Sequence, residues 1–151
     1  MFARPSAEKL LIITFALTFY CLGTTTFEAF VNYRTWPFIG ALEFRAYHRA
    51  LTPLVVRVML IPIAVYFLSL VALLALRPAS TPWWALATSL ALLLIAIISS
   101  ACIQIPIQSA LDRDGLSLPL IQRLIASDLV FRKLPLALNA LLWLTLFWRR
   151  A

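Results

Sequence analysis

Apolar positions in this chain come in long runs rather than in alternation. Residues 10–31 carry no charge until Glu28, and 54–76 are broken only by Arg57 and Pro62. Residues 82–107 hold no charge at all, and 134–148 form a fourth, shorter uncharged run. A helix rises about 1.5 Å per residue, so roughly 20 residues cross a hydrocarbon layer of about 30 Å. The first three runs meet that length. The fourth meets it if it tilts little, or if the preceding turn (128–133) carries the helix into the headgroup layer. In lipid only helices and closed barrels satisfy their own backbone, and these runs lack the period-two pattern of barrel strands. The pattern predicts an all-α bundle of four transmembrane helices, one integral membrane domain over 1–151. No small-x-small cleavage site follows the first run, which reads as a span and not as a signal peptide.

The connections differ in character. Residues 77–81 form a tight turn that makes the second and third helices antiparallel neighbours. The first loop, 32–53, carries Tyr33, Trp36, Tyr47 and several arginines, and its stretch 38–50 suits an amphipathic helix lying in the interface. The third connection, 108–133, turns at Asp114-Gly115. From Ser117 onward Leu120, Ile121, Leu124, Ile125 and Leu129 recur at helical spacing, which predicts a re-entrant or interfacial helix before the fourth span. Thr52-Pro53 and Thr81-Pro82 each place a hydroxyl before a proline, the pattern of a helix start, and Pro62 predicts a kink. No internal repeat is visible.

Composition agrees with the pattern. Apolar residues make up 63% of the chain and charged ones 13%, with a mean hydropathy of +0.94. Soluble domains are about 45–50% apolar and about 25% charged. A soluble enzyme, a disordered chain and a nucleic-acid-binding domain are excluded, and the net charge of +7 belongs to membrane flanks. Arg4, Lys9, Arg77, Arg149 and Arg150 fall on the side of the termini. Arg34, Arg45, Arg49, Arg113, Arg123, Arg132 and Lys133 fall on the other, a division too even to set the orientation. Trp83, Trp84 and Trp148 predict an aromatic belt on the terminal side, with Trp36 opposite. Two cysteines and one histidine make neither a tetrahedral zinc site nor a bis-histidine haem site. Cys21 and Cys102 read as two buried thiols at different depths.

The few polar residues inside the runs are placed asymmetrically. Glu28 ends the first span and Arg57 starts the second. Gln104 and Gln108 end the third, and Asn139 lies a turn into the fourth. All five fall at similar depth beneath the surface that carries the long loops, and the preceding helix adds Asp128 and Arg132. A charge near the bilayer centre costs about 2.5–3.5 kcal/mol on insertion scales, so Glu28 and Arg57 are expected to pair. The bland readings are a snorkelling Arg57, a structural clamp at Glu28, and interhelical hydrogen bonds from Gln104 and Gln108. Asp128 and Arg132 read as a surface ion pair, and His48 as a solvated interfacial side chain. No phosphate loop, nucleophile elbow or carboxylate–histidine helix pair is present.

The order of these features resembles uncharacterised bacterial four-helix membrane proteins loosely similar to the anthrone oxygenase-like family. The matching places are Asn32-Tyr33, Phe44 with Tyr47-His48, Gln104-Ile105-Pro106-Ile107-Gln108, Ser127-Asp128-Leu129 with Arg132, and Asn139. Gln108 and Leu129 stand where that pattern has a histidine and a tryptophan, the histidine after the first helix is also missing, and Arg132 is shifted by one residue. What the resemblance implies is therefore the fold, in a bacterial cytoplasmic membrane, and not chemistry on the missing imidazoles.

Two functional readings follow. The first is a non-catalytic accessory subunit of a larger membrane complex, with other integral subunits and the lipid bilayer as partners. Small patches such as Ser99-Ser100-Ala101 would let a partner helix approach, and a lipid, quinone or pigment tail is a possible hydrophobic ligand. The alternative is an oxygenase- or isomerase-like enzyme acting on a hydrophobic substrate. Its pocket on the loop side would be lined by Glu28, Arg57, Gln104, Gln108 and Asp128. Neither reading names a cofactor.

Overall fold

The computed structural model describes residues 5–76, 78 and 81–149. They form four long helices: α1 (Ser6–Phe38), α2 (Ala41–Leu76), α3 (Trp83–Asp114) and α4 (Leu118–Trp148). Each is long and apolar enough to cross a membrane, and no strand occurs among the described residues. This is the architecture of a small integral membrane protein. Sequence neighbours pack side by side, and α4 closes the ring against α1. Most of the predicted turn at 77–81, with Arg77, lies outside the described residues, as do Arg4 and Arg150. The Thr81 amide donates to the Pro78 carbonyl at 3.1 Å.

The helices are longer than the apolar runs. At 31 to 36 residues each spans about 50 Å, well beyond the hydrocarbon thickness. The segments expected as long loops are therefore helical extensions. The stretch at 38–50 does not lie flat, because α2 starts at Ala41 and continues as helix into the span, with Thr52 and Pro53 inside it. The Thr52 hydroxyl donates back to the His48 carbonyl at 3.1 Å and caps nothing. The amphipathic helix Leu118–Asp128 is neither re-entrant nor separate but the outer half of α4. Its Ile121 and Leu124 are buried, as their spacing predicts. The turn at Gly115 is as expected. Its φ of 90° suits glycine, and its amide donates to the Leu111 carbonyl at 3.0 Å to close α3.

Each helix is interrupted once by a π turn: Glu28–Asn32, Val56–Leu60, Ser100–Gln104 and Leu129–Lys133. All four interruptions fall at a comparable distance from the terminal-side ends. In α2, α3 and α4 a proline stands two residues beyond the π turn, at Pro62, Pro106 and Pro135. Proline lacks an amide hydrogen and crowds the carbonyl four residues back, and a widened turn relieves that conflict. Two of the carbonyls so released find partners on a neighbouring helix. Tyr20 donates to the Val58 carbonyl at 3.2 Å, and Ser99 to the Phe131 carbonyl at 3.1 Å.

Two cores lie on either side of this level. Leu11, Cys21, Tyr66, Leu70, Leu73, Leu86, Leu93, Leu136 and Trp143 fill the membrane half. Ala29, Tyr33, Trp36, Phe44, Ile107, Leu111, Ile121 and Leu124 fill the outer half. Trp83, Trp84 and Trp148 are exposed, as a belt requires, but Trp36 is fully buried among Tyr33, Phe44 and His48 and belongs to no belt. Ile12, Leu68, Ile98 and Leu141 are exposed on the outer wall, where lipid would meet them. Cys21 is buried, whereas Cys102 is exposed and so departs from expectation.

Candidate functional site

The outer core encloses a polar network to which all four helices contribute. His48 from α2 is 2% exposed. Its Nδ1 lies 2.6 Å from Asp112 Oδ1 and its Nε2 lies 2.6 Å from Gln108 Oε1, both on α3. Gln108 Nε2 donates to the Tyr33 hydroxyl of α1 at 3.2 Å, and Arg132 Nη2 of α4 donates to the same oxygen at 3.1 Å. Tyr33 receives both bonds on its oxygen, so its own proton remains for a third partner. As placed, both ring nitrogens of His48 face side-chain oxygens. Turning over the Gln108 amide would give the hydrogen pattern of a neutral ring.

Behind Arg132 the network is ionic. Asp128 is fully buried and pairs with Arg132 and, at 2.5 Å, with Lys133. Positions four and five ahead of Asp128 would diverge by about 100° on a regular α-helix. The π turn Leu129–Lys133 brings both cations onto its face. The pair expected on the surface is thus an interior triad. Burial of Arg132 and Lys133 follows from their partner, because an unpaired charge there would carry a heavy desolvation cost.

Glu28 and Arg57 do not pair. Glu28 is 5% exposed and accepts from Asn32 Nδ2 at 3.0 Å. Asn32 Oδ1 in turn accepts from Trp36 Nε1 at 3.2 Å and from Tyr47 at 3.3 Å. Arg57 is exposed on the outer face of α2, the placement of a snorkelling side chain. Asn139 also leaves the predicted cluster. It lies in the membrane half, where it accepts from Ser89 Oγ at 2.7 Å and donates to the Ser89 carbonyl at 3.0 Å. Trp143 Nε1 donates to Ser89 at 3.0 Å, and the Tyr66 hydroxyl lies 3.3 Å from it. Ser99 of the small-residue patch is buried inside the bundle.

One cavity of about 620 Å³ joins the two halves. Glu28, Tyr33, His48, Gln104, Gln108 and Arg132 line its polar end, and its rim reaches Asp112. Leu60, Ile63, Phe67, Leu93, Leu94 and Ile97 are among its apolar walls. Its volume lies within the roughly 300–1,000 Å³ of small-molecule sites. Contacts between α2 and α3 concentrate on either side of their π turns. At the level of those turns Val56, Leu60 and Ile105, all exposed, line the cavity, which places its mouth on the wall of the bundle. Of the pocket predicted from sequence, Glu28, Gln104 and Gln108 line the cavity, whereas Asp128 stands behind Arg132 and Arg57 is outside. Asp112, His48, Tyr33 and Lys133 were missed. The spacing of Phe44 and His48, four apart on a helix, was the available signal for a buried imidazole.

Among the described residues no three His, Cys, Asp or Glu side chains converge as metal ligands. The chain matches no protein-family model, no curated protein and no solved structure.

Proposed function

We propose that this protein takes an amphipathic small molecule laterally from a bacterial cytoplasmic membrane and transfers a proton to or from its head group. The carrying observation is the cavity: apolar within the bilayer half, it ends on a carboxylate–imidazole pair and a phenol. The Asp112 carboxylate is about one-third exposed while His48 is buried. Asp112 and His48 can thus exchange a proton with the aqueous rim, and Gln108, a neutral carboxamide, only orients His48 and Tyr33 toward the cavity. Arg132 supports a developing phenolate at Tyr33 by donating to its oxygen. This is the isomerase-like form of the enzymatic reading, in which side chains alone move the proton.

The likeness to anthrone oxygenase-like proteins is part of this proposal. Tyr33, Phe44, His48, Gln104 and Asp128, which carry it, gather toward one end of the bundle, and this supports it. Membership of a larger complex is the second reading, favoured by Phe38 and Leu42, which are almost fully exposed at the α1–α2 tip.

Gentle solubilisation and mass analysis separate the two. The enzymatic reading expects a lone protein carrying a small amphiphile in stoichiometric amount, lost in Ala96→Phe, which narrows the cavity. His48→Gln should retain that molecule but leave it unconverted. Isolation with a stoichiometric large partner and no small molecule would replace this reading with the subunit.

A further inference from the structure

The polar end of the cavity is not evenly supplied with donors and acceptors. Arg132 and Lys133, the cations nearest it, are committed to Asp128 and Tyr33. Gln104 is 2% exposed, and its amide nitrogen reaches only the Ser127 hydroxyl, at 3.5 Å. Its amide oxygen is buried and has no hydrogen-bond partner. An unmatched buried acceptor loses its bond to water without replacement, and native structures leave few of them. Glu28 lines the same cavity, also buried, and a single donor, Asn32 Nδ2, bonds its carboxylate. A carboxylate accepts at about four lone-pair positions. Glu28 opens the π turn of α1 and Gln104 closes that of α3, so both stand at the level where the apolar walls give way to the polar network.

Resting on the amphiphile-binding reading above, we infer that Glu28 and Gln104 form a subsite for a head group that donates hydrogen bonds, an alcohol or a protonated amine. An alcohol gives its one hydrogen to the carbonyl of Gln104 or to the carboxylate of Glu28, whereas a protonated amine gives a hydrogen to each and sets its charge against Glu28. A head that only accepts, such as an ether, leaves both oxygens unmatched. An ionised carboxylate head meets Glu28 as a like charge, with the nearby cations already engaged. Apolar chain length adds affinity for every such molecule, but it does not discriminate between heads.

The test uses the full chain in lipid nanodiscs, with unfolding temperature followed against 1-dodecanol, dodecylamine, dodecyl methyl ether and dodecanoate. Ligands that bind only the folded state stabilise it by RT ln(1 + L/Kd), with L the ligand concentration, so the unfolding temperature rises with the logarithm of concentration over Kd. The alcohol or the amine should act at about tenfold lower concentration than the ether and the carboxylate. The tighter of the two tells a neutral head from a cationic one. Gln104→Met removes the acceptor at similar length, and Glu28→Gln keeps the volume while removing the charge. Each should shrink the preference over the ether toward one. Glu28→Gln alone suffices if Gln104→Met does not fold. Equal potency of all four probes, with the response abolished in Ala96→Phe, overturns the subsite and leaves the cavity reading standing. A preference for the ether or the carboxylate, or a donor preference that survives both substitutions, also overturns it. No response to any probe overturns the cavity reading and this inference together.

Discussion

In the half of the bundle nearer the termini, Ser89 gathers Tyr66, Asn139 and Trp143 into a neutral cluster. In the other half Asp128 gathers Arg132 and Lys133 into a buried ionic one, continued by Tyr33, Gln108 and His48. Both clusters tie several helices together, and Ser89 and Asp128, at their centres, are fully buried. They differ in what is lost when one member is removed. A neutral hydrogen bond inside a membrane protein contributes about 0.6 kcal/mol on average, because the separated helices find other partners in lipid. A buried charge deprived of its counter-ion has no such alternative. The terminal half is thus held by packing with neutral pins, and the outer half by charges that must be satisfied together.

The largest effect is expected where that difference is greatest. Asp128→Ala leaves Arg132 and Lys133 buried without a counter-charge and should destabilise the fold by about 3–5 kcal/mol, read from unfolding in mixed micelles. Replacing the triad with Leu and two Met should recover most of that loss. Failure to recover would mean that the charges stabilise the fold and are not merely tolerated. Next comes Ser89→Ala, which deprives Asn139, Trp143 and Tyr66 of a shared partner and should cost about 1–2 kcal/mol by the same measurement. A cost equal to that of Asp128→Ala would erase the distinction between the halves. Tyr20→Phe and Ser99→Ala each uncover one carbonyl within a π turn, at Val58 and at Phe131, and should cost about 0.6 kcal/mol apiece. The smallest change is expected for Arg57→Ala, within about 0.5 kcal/mol. A loss as large as that from Asp128→Ala would restore Arg57 to the interior network.

The sequence reading and the structure part company at identifiable residues. Runs of Leu, Ile, Ala and Val located the membrane halves of all four helices, because lipid-facing and core-facing positions are both apolar there. The same measure stopped at the first polar turn and so read the outer halves as connections carrying separate interfacial helices over 38–50 and from Ser117. Phe44, His48, Ile121 and Leu124 are buried at helical spacing, but the charged residues between them mask the continuity. Depth counted from the ends of apolar runs placed Asn139 beside Gln104. The helix of α4 begins well before its apolar run, so Asn139 lies deeper, on the face it shares with Trp143 four residues on. Glu28 and Arg57 were paired by depth alone, yet depth does not say which way a side chain faces. Arg57 points outward.

By itself, the sequence determined the apolar surroundings of this protein, its all-helical class and the four spans. Those follow from transfer energies and backbone satisfaction, which act residue by residue along a chain. Rotation about each helix axis was decided only in the tertiary structure. Four π turns reset that rotation at one level, so the direction of every polar residue beyond them depends on a turn that hydropathy does not register. That is why the Asp128 triad, the His48–Asp112 pair and the cavity between α2 and α3 emerge only once the helices are packed.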